Sequence, residues 1–294
     1  VRDVCEKDSV LAARRLALNL DGGVLAIQGP PGAGKTYTGA RMICELVRAG
    51  KKVGITAVSH KVIRNLLEGV VDAAREEQLT VSCLQKVSGK AAKDEGQPIR
   101  ETTKNPEVVK ALEDGDVQIV AGTGWLWARE ELSDSVDVLF VDESGQMSLA
   151  NVLAVAQSAR SVVLLGDPQQ LDQPLKGSHP EGTEVSALQH LLGDKQTIPA
   201  DRGLFLAETW RLHPTICAFT SEVFYEDRLR SRPDLGRQTL SAESPFAAAG
   251  LWFVPVDHEG NQNSSIEEAD RVAELHTSLV SGDLTWTDRE GNVS

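Results

Sequence analysis

No apolar run in the sequence approaches the roughly 18 residues that a membrane-spanning helix needs. The longest candidates, Val162–Leu165 and Val152–Ala156, are core-sized. The first residues, Val1-Arg-Asp-Val-Cys-Glu-Lys, lack both the apolar stretch of a signal peptide and an initiator Met. The expectation is a cytoplasmic segment of a longer polypeptide, with no membrane partner. Cysteine is sparse: Cys5, Cys44, Cys83 and Cys217 stand far apart, with no Cys-x-x-Cys and no Cys/His grouping at zinc spacing. They read as free, partly buried thiols in a reducing compartment. A basic excess is also missing. Lys and Arg number 30 against 43 Asp and Glu, a formal charge of −13, which argues against a protein that coats duplex DNA but leaves room for a local basic groove. No internal repeat or low-complexity tract is present.

What remains is ordinary globular material: 294 residues, 41% apolar and 25% charged, enough for one large domain or two smaller ones. Short runs rich in Val, Ile and Leu alternate with helical patterns, which predicts an α/β fold with a parallel sheet. Strands are expected at Val24–Gln28, Lys52–Ala57, Val117–Ala121, Val136–Val141 and Val162–Gly166, and helices at Lys35–Ala49 and Lys61–Glu76. The polar stretch 85–116 reads as an insertion. Asp172–Asp201 reads as a loop region holding a short helix near Val185–Leu192. A second lobe is expected to begin near residue 203, with helices from Pro214 and Ile266 and a strand at Leu251–Val256. Ser265 and Glu268 are placed as a capping box. The segment Gly282–Ser294 is expected to add no further strand.

Four places carry chemistry. Gly29-Pro30-Pro31-Gly32-Ala33-Gly34-Lys35-Thr36 matches Gly-x4-Gly-Lys-[Ser/Thr] between an expected strand and an expected helix. Glycines there let backbone N–H groups cradle a polyphosphate, Lys35 reaches the terminal phosphate oxygens, and the Thr36 hydroxyl suits Mg²⁺. Val138-Leu-Phe-Val-Asp142-Glu143 ends an apolar strand in two acids. Asp142 can hold Mg²⁺ through water, and Glu143 can orient and deprotonate an attacking water. Gly166-Asp167-Pro-Gln-Gln170 ends the next strand with an amide able to sense a γ-phosphate. In the second lobe, Trp210 offers a flat face for a base and Arg211 a positive charge for a transition state. Asn-Lys-x-Asp, Leu-Ser-Gly-Gly-Gln and a nuclease-type carboxylate–Lys cluster are all absent.

Taken in order, Gly29–Thr36, Thr56-Ala-Val-Ser-His-Lys61, Ala121-Gly-Thr-Gly124, Asp142-Glu-Ser-Gly-Gln146, Gly166–Gln170 and Trp210-Arg-Leu-His-Pro214 resemble motifs I, Ia, Ic, II, III and IV of superfamily 1 helicases. The likeness is to the group of the RNA helicase of nonsense-mediated decay. Within that group it is to bacterial proteins that fuse a RecB-like nuclease to such a helicase. The resemblance implies a RecA-like P-loop domain over residues 1–202, then the truncated start of a second RecA-like domain over 203–294. It implies ATP and Mg²⁺ as cofactors, with Gly29–Thr36 and Trp210 on the nucleotide. Lys35, Asp142, Glu143, Gln170 and an arginine finger, Arg211, would be catalytic. Ser59, His60, Lys61 and Thr123 would contact single-stranded DNA or RNA. The other partner implied is the rest of the polypeptide, including a nuclease upstream. No Gln precedes Gln28 to read adenine, and nothing after Arg211 resembles motifs V or VI. A second reading therefore stays open: a nucleotide-dependent switch or interaction module without motor activity.

Overall fold

Strands buried on both faces read as continuous Val/Ile/Leu runs, and helices that cover them carry one apolar stripe. Both patterns are realised in the computed structural model, which describes residues 8–89, 91, 96–170, 185–242, 247–280 and 283–294. The first of two units ends at Leu206. It runs α1 (Ser9–Leu18), β1 (Gly23–Gln28), α2 (Lys35–Arg48), β2 (Val53–Thr56), α3 (His60–Glu76), β3 (Cys83–Lys86), β4 (Ile99–Thr102), α4 (Asn105–Glu113), β5 (Ile119–Ala121), α5 (Gly124–Trp127), β6 (Val136–Val141), α6 (Leu149–Ala156), β7 (Ala159–Gly166), α7 (Ala187–Leu192) and β8 (Gly203–Phe205). The second, from Ala207, holds β9 (Glu208–Thr209), α8 (Pro214–Phe224), β10 (Arg230–Ser231), β11 (Thr239–Ser241), α9 (Ile266–Val280) and β12 (Thr285–Thr287).

All eight strands of the first unit form one parallel sheet in the order β4-β3-β5-β2-β6-β7-β1-β8. Alternate residues point to opposite faces. Ile27, Ile55, Ile119, Phe140 and Leu165 join Ile43, Leu46, Ile63 and Leu67 in the core with α1–α3. Their neighbours Val120, Leu139 and Leu164 are buried on the other face, where α5, α6 and α7 pack together. Three helices are tied at one end by charge. Arg14 of α1 bonds Glu45 of α2 and Glu77 beyond α3, and Arg48 bonds the same two carboxylates.

Several expectations need correction. The polar stretch 85–116 is no insertion: it contributes the end of β3, all of β4, and α4, extending the sheet by two strands. Its signal is weak because β4 is an edge, where only Ile99 and Thr102 are buried, Arg100 is exposed and Glu101 is held half-buried by Arg64. The strand after residue 203 pairs with β1 and closes the first sheet, so the first unit reaches Leu206. Leu251–Val256 forms no strand, and Gly282–Ser294 does contain one, β12, antiparallel to β11. Residues 171–184 of the expected loop region, and Cys5, lie outside the described residues. Cys44, Cys83 and Cys217 are free and buried, and burial pushes the Cys44 thiol up to about 11. In the second unit Ser265 caps α9 through the Glu268 N–H, while the Glu268 side chain pairs with His258 instead of closing the box.

Candidate nucleotide site at the carboxyl ends of the strands

Every strand of the parallel sheet points its carboxyl end the same way, so residues that follow β1, β2, β5, β6 and β7 emerge along one rim. Open parallel sheets take their ligands at that rim. After β1 the chain turns through Gly29–Gly34. Gly32 and Gly34 have φ of 75° and 83°, a left-handed region that favours glycine. At Gly29 a Cβ would lie 2.3 Å from Lys35 Cγ. Gly34 caps α2 without a side-chain acceptor, so the first-turn N–H groups of a fourteen-residue helix are left for an anion. The Lys35 ammonium bonds the Gly29 carbonyl at 2.8 Å, lying back across the loop. Thr36 is exposed at the helix start.

The acid pair follows β6, which β7 separates from β1. Asp142 is 4% exposed, and burial pushes its carboxyl up to about 6. The Glu143 N–H, 2.9 Å from Asp142 Oδ1, and the charge of Lys35 pull it down, while the Glu143 charge pushes it up. The Lys35 charge therefore reaches the Asp142 carboxyl across the rim. Glu143 sits at φ 53°, a left-handed conformation costly for a side chain with a Cβ, and is half-buried. A hydroxyl (Thr36) and a carboxylate (Asp142) are hard oxygen donors of the kind Mg²⁺ takes. The buried carboxylate, destabilised by its surroundings, fits a cation there.

The tips of β6 and β7 interlock. The Ser144 N–H and hydroxyl both donate to the Leu165 carbonyl, at 2.8 and 2.9 Å. A Cβ on Gly145 would meet the Asp167 carbonyl oxygen at 2.3 Å, and one on Gly166 the Gly145 nitrogen at 2.6 Å. This packing fixes Asp167, which is buried and accepts from the Gln169 N–H at 3.2 Å. Half-buried Gln170 lies at the same tip.

Other expected residues hold local roles. Ser59 caps α3 by accepting from Val62 N–H. His60 Nε2 meets Ser88 Oγ at 3.0 Å, while its buried Nδ1 has no partner among the described residues. Lys61 is exposed, and half-buried Thr123 precedes α5. In the second unit, buried Thr209 accepts from the N–H groups of Arg211 and Leu212. Arg211 is exposed and has no ion pair among the described residues. The Trp210 ring carries the Arg232 guanidinium 3.8 Å from its centroid, so one face is already covered.

Two features escaped the sequence reading. Gln28, fully buried, donates to the Gln196 carbonyl at 2.9 Å and accepts from Ile198 N–H at 2.7 Å, clamping a distant segment beside the phosphate loop. No local pattern marks it, because its partners lie some 170 residues away. The other is Trp125, on the rim two residues past Thr123 and 89% exposed. A tryptophan beside Gly122-Thr-Gly124 was its visible signal.

A parallel α/β sheet with a phosphate loop after one strand and an acid pair after another defines a RecA-like P-loop nucleotide-binding fold. The model of the AAA domain family matches residues 11–183, and the chain belongs to that family. It is similar to the DNA-binding protein SMUBP-2 of Rattus norvegicus, 26% identical over 84% of this chain and 30% of that protein. It is also similar to the ATP-dependent helicase NAM7 of Saccharomyces cerevisiae, 25% identical over 76% of this chain and 26% of that one. The chain thus spans about a third of the length of such relatives. Among solved structures, an arterivirus nonstructural protein 10 helicase in complex with DNA aligns with a TM-score of 0.46 at 15% identity, covering 76% of this chain and 44% of that one.

Proposed function

We propose that the chain is the ATP-hydrolysing part of a superfamily 1 helicase or translocase acting on single-stranded nucleic acid. The observation that carries this reading is that the phosphate loop after β1 and the acid pair after β6 emerge on the same rim of one sheet, near enough for the Lys35 charge to act on the Asp142 carboxyl. A pure binding module has no need of a second acid there.

In this reading the N–H groups of Gly32–Thr36 hold the phosphates and Lys35 leaves the Gly29 carbonyl for the terminal phosphate. Thr36 and Asp142 would hold Mg²⁺, which would neutralise phosphate charge. Glu143 takes the proton of the attacking water, and Gln170 senses the γ-phosphate. Arg211 delivers charge from the second unit, taken as the start of a second RecA-like domain, while Trp210 offers its uncovered face to the base. Ser59, His60, Lys61 and Thr123 form the path for single-stranded DNA or RNA. Relatives named for helicase activity and DNA binding support the nucleic-acid assignment. The finer form of the reading is a bacterial, cytoplasmic protein in which a nuclease is joined to the motor.

The test is kinetic. Lys35→Ala is expected to abolish ATP binding, measured by calorimetry. Glu143→Gln is expected to keep binding and lose turnover about 100-fold or more, as removal of a general base does. Stimulation of turnover by single-stranded DNA or RNA separates a motor from a nucleotide switch. Equal turnover by Glu143→Gln and the unaltered chain would remove the base.

A further inference from the structure

We infer that Trp125 is a stacking platform for a base of the single strand, an assignment that rests on the nucleic-acid reading above. Exposing a whole indole forfeits the stabilisation that burying its apolar surface would give, and Trp125 is 89% exposed. The side chain is not adrift. Its helical neighbours Leu126 and Trp127 are buried, at 3% and 0% exposure, and the Trp127 indole N–H donates to the Ile55 carbonyl of β2 at 3.0 Å. That same carbonyl accepts from the Gly122 N–H at 3.0 Å. Glycines make the fit: a Cβ on Gly122 would lie 2.5 Å from Leu126 Cδ2, and one on Gly54 would lie 2.9 Å from the Trp127 ring. A short helix is thereby pinned at both its strand and its far end, and it presents one indole outward on a rigid mount.

Position then selects the ligand. Trp125 follows β5, whose sheet neighbour β2 leads directly into Ser59, His60 and exposed Lys61. On the other side of β5, β3 ends in Lys86 and leads to Ser88, which meets His60. Hydroxyls, an imidazole and ammonium groups thus follow the ends of β2 and β3, and Trp125 stands exposed after β5, the strand between them. That is the composition of a single-strand site: phosphate contacts for grip and an aromatic face for a base of any identity.

The experiment is binding of labelled oligothymidine, followed by fluorescence anisotropy, alongside a base-free deoxyribose-phosphate oligomer of equal length. Trp125→Leu should weaken oligothymidine binding about 5- to 150-fold, the range of one lost base–aromatic stack. Trp125→Phe should regain most of it. Neither change should alter binding of the base-free oligomer or ATP turnover without nucleic acid. Unchanged oligothymidine affinity in Trp125→Leu would overturn the stacking role, assign the indole to a protein contact and leave the nucleic-acid reading intact. Equal loss on both oligomers would make the side chain a support and overturn it too. No binding of either oligomer by the unaltered chain would sink both proposals.

Discussion

Asp142 shows how one buried residue ties stability to ligand. Its carboxyl ordinarily ionises near 3.8, and burial moves this to about 6 in the folded chain. Between those values the folded state keeps a proton that the unfolded state has released. Stability therefore falls as pH rises through that window, and the full cost is present above about pH 6. Without nucleotide, Asp142→Asn is expected to stabilise the chain by about 2–3 kcal/mol at pH 7.5. The gain should shrink steadily as pH falls from 6 toward 4, and urea unfolding at a series of pH values measures it. A gain that does not change with pH would place the cost elsewhere. Mg²⁺-dependent nucleotide binding should weaken over the same interval, because a protonated carboxyl is a poor cation ligand.

At the scale of elements, two contacts hold the rim in shape. Gly166→Ala forces a Cβ against the Ser144–Gly145 backbone and is expected to cost about 1–3 kcal/mol, as overpacking does. Gln28→Ala removes one hydrogen bond from the Ile198 N–H and one from the Gln196 carbonyl, which also accepts from the Gln169 amide at 3.4 Å, and is expected to cost about 1–3 kcal/mol, the net worth of two hydrogen bonds. Thermal unfolding of the two variants checks both. These contacts also explain what could be read in advance. Strands β1, β2, β5, β6 and β7 were legible because they are apolar on both faces, and the phosphate loop and acid pair because each is contiguous in sequence. β3 and β4 were not: β3 buries a Gln, and β4 carries two charged residues in its middle, Arg100 exposed and Glu101 paired with Arg64. Leu251–Val256 misled for the converse reason, since it is apolar, yet Phe253 is 92% exposed and the segment forms no strand. The Gln28 clamp depends on a partner that no window of sequence contains.

On the scale of the whole molecule, the apolar cluster of sheet and α1–α3 lies entirely within the first unit. Residues 8–206 are therefore expected to fold alone with a single cooperative transition, followed by circular dichroism. α9 differs: it has no buried residue, and Ile266 and Val272 stand 76% and 64% exposed. Its amides should exchange with solvent well before those of α2 or α3, because little tertiary packing protects them. Hydrogen exchange read by mass spectrometry tests the contrast. Comparable protection of α9 and α2 would show that the helix is stabilised by something other than burial.

The interlock between the ends of β6 and β7 has one mechanical consequence. With Gly145 pressed against the Asp167 carbonyl and Gly166 against the Gly145 nitrogen, neither glycine has room for even a methyl group, and the two strand ends have no slack between them. A shift of either strand end therefore has to be accommodated by the other.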